Sequence, residues 1–452
     1  MKIKTFTLSL IIFLFCGHTA AHAQTTTTTP VSTPEVLGLQ VPEVPYIIQK
    51  IKEAKELLKP IKLNYVLSPV YKTDKKTKKK VVSRYNLGDR DLMLAILLPD
   101  GQIKITGAIQ KGRSFVFPDK SYSISLTRFN GVNSRFKVTS PEGGKVVALK
   151  YLITPVESGS KSAIQNSTYE ALYTPYSPEL DQTDVANYGQ KYLDNVISQV
   201  AEQLKNYPSV SLPGSTVTQA IRPGLIKALV YAEHMDTNEL LNASDIKPIS
   251  NRINTLFAIN ESETYRYSGS SAGALGISQF IESTYLGLVK RHTSANLIPD
   301  FKQGMADHIN SIKSTYLLLD DYIHAVRDRA EGAFTIGQAF DYGVAAYNGG
   351  VVRVARALNN FGSNWNQDRS GEISSTETQI KKMSAEIESL RKKTLATSEK
   401  KARAQLQSKL DNMRTELASM KDRLTSMQNA TLRDETRGYL QKIYKVVSSL
   451  NT

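Results

Sequence analysis

YSGSSAGALGISQF, residues 267–280, places glycine at 269, 273 and 276 among serines and alanines and ends on an amide and an aromatic ring. Glycine at this density lets a backbone turn sharply and approach a ligand closely. Ser270, Ser271 and Gln279 add uncharged hydrogen-bonding groups, which suits a sugar better than a charged ligand. Two carboxylates, Glu261 and Glu263, stand just ahead of the loop. The loop therefore raises the question of which carboxylate, if any, would act beside it.

The residues upstream supply a second candidate. IRPGLIKALVYAEHMDTNELL, 221–241, has Pro223 where a first helical turn accepts it, and Leu225, Ile226, Leu229 and Val230 at helical spacing. Glu233 lies four residues after Leu229 and seven after Ile226, so it falls on the same apolar face. A carboxylate there costs free energy while charged, and a raised pKa relieves the cost. A glycosidase acid needs that property, because it must hold its proton near neutral pH. A glutamate at the edge of the stripe with a lysine partner would give the same pattern. Downstream, AAYNGGVVRVARAL (345–358) puts Tyr347 and Asn348 before paired glycines, and RDETRGYLQKIYKV (433–446) puts Glu435, Thr436 and Tyr439 at the start of a final helix.

The order Pro-x-Leu-Ile-x-Ala-Leu-Val-x-x-Glu, Ala-Gly-Ala-x-Gly-x-x-Gln-Phe, Ala-Tyr-Asn-x-Gly and Glu-Thr-x-x-Tyr resembles the lytic transglycosylases of the goose-type-lysozyme-like (SLT) superfamily. The resemblance spans roughly 210–362 and 431–449, and the loop is similar to the lytic transglycosylase B version. It implies a mostly helical lysozyme-like domain acting on peptidoglycan glycan strands, cutting between N-acetylmuramic acid and N-acetylglucosamine to leave a 1,6-anhydromuramyl end. It further implies that Ser271, Gly273, Gln279, Tyr347, Asn348, Glu435 and Tyr439 line the substrate groove. One carboxyl group suffices, since the sugar's own 6-hydroxyl is the nucleophile.

Two glutamates fit different parts of the family pattern. Glu261-Ser262 reproduces the usual Glu-Ser, twelve residues before Gly273. Glu233 reproduces the proline ten residues before the acid and the apolar helix between, but His234 follows it instead of serine. Relatives with this version of the loop insert several tens of residues after the acid. Glu233 is therefore the expected catalytic residue, with Glu261 as runner-up. Ile277-Ser278 replaces the Leu-Met common in relatives. His234 also leaves room for a non-catalytic wall-binding assembly protein, and a hydrolytic lysozyme is the remaining alternative.

The rest of the chain frames this unit. Lys2, Lys4, the apolar run Leu8–Cys16 and Ala21-His22-Ala23 read as a signal peptide over 1–23, so the protein is expected to be exported, periplasmic or secreted. Lipid on Cys16 is disfavoured by the bulky Phe15. No later segment is apolar enough to span a membrane. The only cysteine lies in the signal, so thiolate metal sites and disulfides are not expected, and the histidines match no zinc spacing. Neither metal nor cofactor is implied. The formal charge of +15 falls to +13 without Lys2 and Lys4, which points toward acidic polymers or membrane surfaces. Export argues against nucleic acid. KTDKKTKKK, 72–80, reads most simply as a solvated loop.

The pattern predicts an α+β multidomain chain. A low-complexity linker covers 24–43 and a small β-rich domain 44–180, opened by a helix over 44–59. The transglycosylase domain covers 184–371 and resumes at 431–452. Between these parts, apolar residues at 373, 380, 383, 387 and 390, then at 406, 410, 413, 417, 420, 424 and 427, alternate steps of three and four. The break between the two runs predicts an inserted coiled-coil helical hairpin over 372–430, which offers a surface for a protein partner. A single long helix is the rival. It would carry the chain away at ~1.5 Å per residue and separate the two flanks.

Overall fold

The computed structural model describes residues 43–332 and 334–450. The expected signal over 1–23 and nearly all of the linker lie outside the described residues.

Helix α1 (Tyr46–Leu58) follows Pro45 and buries Ile47, Ile48, Ile51, Ala54 and Leu58 on one side. The chain then turns to strands: β1 (Tyr65–Thr73), β2 (Lys80–Leu97), β3 (Ile103–Lys111), β4 (Ser114–Val116), β5 (Ser123–Arg128), β6 (Arg135–Ser140), β7 (Lys145–Ile153), β8 (Ser158–Gly159) and, after helix α2 (Lys161–Ser167), β9 (Tyr169–Tyr173). The main sheet is antiparallel and runs β4-β3-β2-β7-β9, with β1 and β8 pairing on the first half of β2; β5 and β6 form a separate pair. The Pro99-Asp100-Gly101 turn joins β2 to β3 in the register Leu97 to Ile103. Period two sorts the central strand cleanly. Ala95 and Leu97 face α1, whereas Leu92, Leu94 and Ile96 pack toward Val132 and Phe136.

From Thr183 the chain is helical: α3 (Thr183–Gln203), α4 (Val217–Ala220), α5 (Pro223–His234), α6 (Thr237–Asn242), α7 (Lys247–Asn260), α8 (Glu282–Arg291), α9 (Phe301–Ala306), α10 (His308–Arg327), α11 (Ala339–Gly349) and α12 (Val351–Phe361). Helix α10 is the central post. Asp307 caps it through the amide of Asn310, and Ile312, Tyr316, Leu317, Leu319 and Val326 are buried along it. The sheet region and the helices share a core. Leu180, Val185, Leu256, Ala258 and Ile259 belong to the same apolar cluster as α1, and Lys55 Nζ donates to the carbonyl of Ile259 at 2.9 Å.

Two long helices follow, α13 (Ser370–Ala396) and α14 (Lys400–Ala430). They run antiparallel: Gln428 near the end of α14 donates to Glu377 near the start of α13 at 2.9 Å. The apolar positions of the two expected runs, 373–390 and 406–427, are partly or fully withdrawn from solvent, as are Thr376, Ser384 and Thr394, while Leu395 near the tip is exposed. The chain thus comes back to its point of departure. Arg437 pairs with Asp368 at 3.0 Å, and Arg353 donates to the carbonyl of Thr431 at 3.0 Å. Helix α15 (Asp434–Leu450) then packs against α5 and α11. No helix among the described residues is long and apolar enough to cross a membrane.

Candidate active site

Helix α5 is buried all round from Ile226 to Ala232, so its C-terminal turn is the part that reaches polar surroundings. Glu233 sits on that turn. The hydroxyl of Tyr439, brought in by α15, donates to Glu233 Oε1 at 2.5 Å. Burial pushes the Glu233 carboxyl up to about 7, against the Tyr439 hydrogen bond and the Lys442 charge, which both pull it down. Lys442 is itself buried and donates to the carbonyl of Met235 at 2.7 Å, which caps the end of α5. An acid, a phenol and an ammonium group from two helices far apart in sequence are thereby held together.

His234 faces the other way and grips the glycine loop. Its Nε2 lies 3.0 Å from the carbonyl of Ile277, an acceptor, so Nε2 carries the hydrogen. Burial holds the ring neutral, with its pKa lowered to about 3. The ring stacks on Tyr265 with centroids 3.4 Å apart and planes 2° from parallel. The loop is fastened at the next residue too. The carbonyl of Ser278 accepts from Tyr347, and its hydroxyl accepts from Thr315 at 2.7 Å and Ser311 at 3.1 Å. Serine in place of the methionine common in relatives therefore answers two hydroxyls of α10. Gly276 has φ 76° and faces the backbone of α9: a methyl group there would come within 2.4 Å of the Met305 carbonyl. Glu261, Tyr265 and Gln279 also hold positive φ, which concentrates backbone strain in 261–279, a property common at functional sites.

The predicted site residues separate into groups. Glu233 and Tyr439 are in direct contact, and Tyr347 is tied to the loop beside them. Asn348 accepts a hydrogen bond from Thr436 at 2.9 Å, and a methyl group on Gly349 would lie 2.6 Å from Thr436 Oγ1. Asn348 thus seats α15, and Gly349 lets it approach. Gln279 turns its amide onto the carbonyl of Gly276 at 2.8 Å. Ser271 and Gly273 are exposed at the loop tip, where the hydroxyl of Ser270 accepts from the amides of Ala272 and Ala274. Glu435 is exposed on the first turn of α15 and has no polar partner among the described residues.

Glu261 has different company. It pairs with Lys52 of α1 at 3.1 Å and accepts from Tyr188 of α3 at 3.0 Å. Glu263 pairs with Arg266 at 2.7 Å and accepts from Tyr267 at 3.0 Å. Both carboxylates ahead of the loop are thus engaged on the side of α1, α3 and the loop's own start. Sequence reasoning did not single out Lys442, Tyr265, Ser311 or Thr315. Lys442 had a signal, since it stands three residues after Tyr439 on the same face of α15. The other three had none, because their roles arise from tertiary contacts alone. Among the described residues no group of His, Cys, Asp and Glu is arranged to hold a metal ion.

Residues 241–369 match the family model described as the Transglycosylase SLT domain. That span includes Glu261, the glycine loop, Tyr347 and Asn348, while α5 with Glu233 and α15 with Glu435 and Tyr439 lie outside it. No curated protein and no solved structure matches the chain.

Proposed function

Since this chain carries a transglycosylase SLT domain, lysozyme-like in kind, over residues 241–369, we propose that it is an exported peptidoglycan lytic transglycosylase. It cleaves the β-1,4 bond between N-acetylmuramic acid and N-acetylglucosamine without water and leaves 1,6-anhydromuramyl ends. The observation that carries this reading is the Glu233 carboxyl. It is half-buried at the end of α5, burial raises its pKa to about 7, and it touches Tyr439.

The steps follow from those groups. Glu233 donates its proton to the glycosidic oxygen as the bond from that oxygen to muramyl C1 breaks. The 6-hydroxyl of the same sugar attacks C1, and the Glu233 carboxylate takes the hydroxyl proton, which restores the acid. The carboxylate between the two steps is stabilised by the Tyr439 hydroxyl and by the charge of Lys442, the two groups that already lower its pKa. An internal nucleophile removes the need for a second carboxyl to position water. Consistent with that, no second carboxylate among the described residues shares the Tyr439 hydroxyl. Ser271, Gly273 and Gln279 on the loop, with Tyr347 and Asn348, line the sugar groove, and Glu435 stands at its rim. The α13–α14 pair is a coiled-coil insertion that returns the chain so that Tyr439 reaches Glu233.

Glu261 is the alternative acid, because it lies inside the matched span and Glu233 does not. Its ion pair with Lys52 and its bond from Tyr188 favour a structural role at the α1–α3–α7 junction. Digestion of purified peptidoglycan with mass spectrometry of the new ends tests the reading. Anhydro ends support it; reducing ends would make the protein a hydrolase, and intact strands a binding protein.

A further inference from the structure

The stretch 72–80 remains unexplained by this chemistry. It is the tip of a two-stranded ribbon. Strand β2 pairs with β3 only from Arg90 onward and with β7 only from Met93 onward, whereas β1 pairs with β2 out to Thr73 and Lys80. Beyond the short β8 contact at Tyr85 and Asn86, the ribbon therefore has no third strand. Two strands alone are marginal in water, so a projecting ribbon gains from a surface to rest on.

Its composition says what kind of surface. Lys72, Lys75, Lys76, Lys78, Lys79 and Lys80 are all exposed, and none forms an ion pair among the described residues. The one acid of the tip, Asp74, is consumed by the turn: it accepts from the amides of Lys76 and Thr77 and from the Thr77 hydroxyl. The lysine charge is left uncompensated. Beside the lysines the stem exposes large apolar side chains, with Tyr71 at 58%, Val82 at 43% and Val81 at 38%. Tyr71 and Val82 are direct cross-strand partners and share a face.

We infer that this lysine-tipped ribbon docks on an anionic phospholipid bilayer, with Tyr71 and Val82 resting at the headgroup layer and the lysines on lipid phosphates. A soluble polyanion would reward the cations alone. An aromatic ring and valines among unpaired lysines match an interface that is charged above and apolar below. The inference stands independently of the reaction proposed for Glu233. It also gives the basic balance of the chain a local cause, since six of the cations sit at this one ribbon tip.

The test is vesicle flotation of the full chain with phosphatidylglycerol-containing and with purely zwitterionic vesicles, at low and at high salt. The expected result is capture by the anionic vesicles alone, weakened by salt. Joint substitution Lys75→Gln, Lys76→Gln, Lys78→Gln and Lys79→Gln lowers capture at least about tenfold, and Tyr71→Ser lowers it at unchanged charge. The tip of the α13–α14 pair, with Lys392, Lys393, Lys400 and Lys401 and an exposed Leu395, is the control. Glutamine at those four lysines should leave most of the capture. Three results would overturn the inference: no capture by anionic vesicles, equal loss from the control variant, or full insensitivity to Tyr71→Ser with soluble polyphosphate competing completely. The last result would make the ribbon a site for soluble polyanions. Circular dichroism of each variant separates lost binding from lost fold.

Discussion

Glu233→Gln should make the folded protein more stable at alkaline pH while removing its proposed acid. The reasoning is linkage. Burial raises the carboxyl from 4.5 to about 7 in the folded chain. Between those values the folded state keeps a proton that the unfolded state has released, so the unfolded state binds fewer protons and stability falls as pH rises. The penalty is absent below the unfolded value, grows through the window, and is complete above about pH 7. A shift of that size corresponds to about 3 kcal/mol. Glutamine carries no charge at any pH and keeps an oxygen for the Tyr439 hydroxyl. The variant should therefore match the wild type to within about 1 kcal/mol near pH 4 and exceed it by about 2–3 kcal/mol near pH 8. Urea unfolding of both proteins at the two pH values measures this, because groups away from Glu233 titrate alike in both, while Lys442 and Tyr439, whose pKa values the Glu233 charge raises, are the neighbours that the substitution also shifts. A stability difference that does not change with pH would refute the claim that Glu233 is held neutral by burial.

Three further outcomes follow from the same contacts. Tyr439→Phe removes a hydrogen bond that lowers the Glu233 pKa, so the alkaline limit of peptidoglycan cleavage should move upward, and urea unfolding should show a loss of about 1–2 kcal/mol. His234→Ala removes both the grip on Ile277 and the stack on Tyr265; thermal unfolding should show a cost of about 1–3 kcal/mol, with weaker substrate binding as the loop loosens. Gly349→Ala places a methyl group against buried Thr436 and should cost about 1–3 kcal/mol, with a fall in turnover, measured on isolated glycan strands, as α15 carries Tyr439 away from the acid.

Much of this arrangement is legible in the sequence, for identifiable reasons. Helical spacing in IRPGLIKALV is a local signal, and the structure forms α5 there. The apolar positions predicted in the two runs 373–390 and 406–427 are partly or fully withdrawn from solvent. Glu233 stood out because a carboxylate on an apolar stripe is anomalous. What remained illegible depends on distant contacts. Nothing around Glu261 announces that Lys52 and Tyr188 will meet it, since both belong to other helices. The stack of His234 on Tyr265 depends on a positive φ at Tyr265 that its residue type disfavours. The continuity of the core from α1 to α7 was hidden for a related reason: the sheet segments look self-sufficient when read alone, yet α1 buries its face against residues two hundred positions away.

The most direct test of the central claim compares three proteins on purified peptidoglycan, the wild type, Glu233→Gln and Glu261→Gln, with new ends identified by mass spectrometry. The account predicts 1,6-anhydromuramyl ends from the wild type and from Glu261→Gln, and none from Glu233→Gln although that variant stays folded. Full activity in Glu233→Gln, with loss in Glu261→Gln, would contradict it and move the acid to the start of the glycine loop.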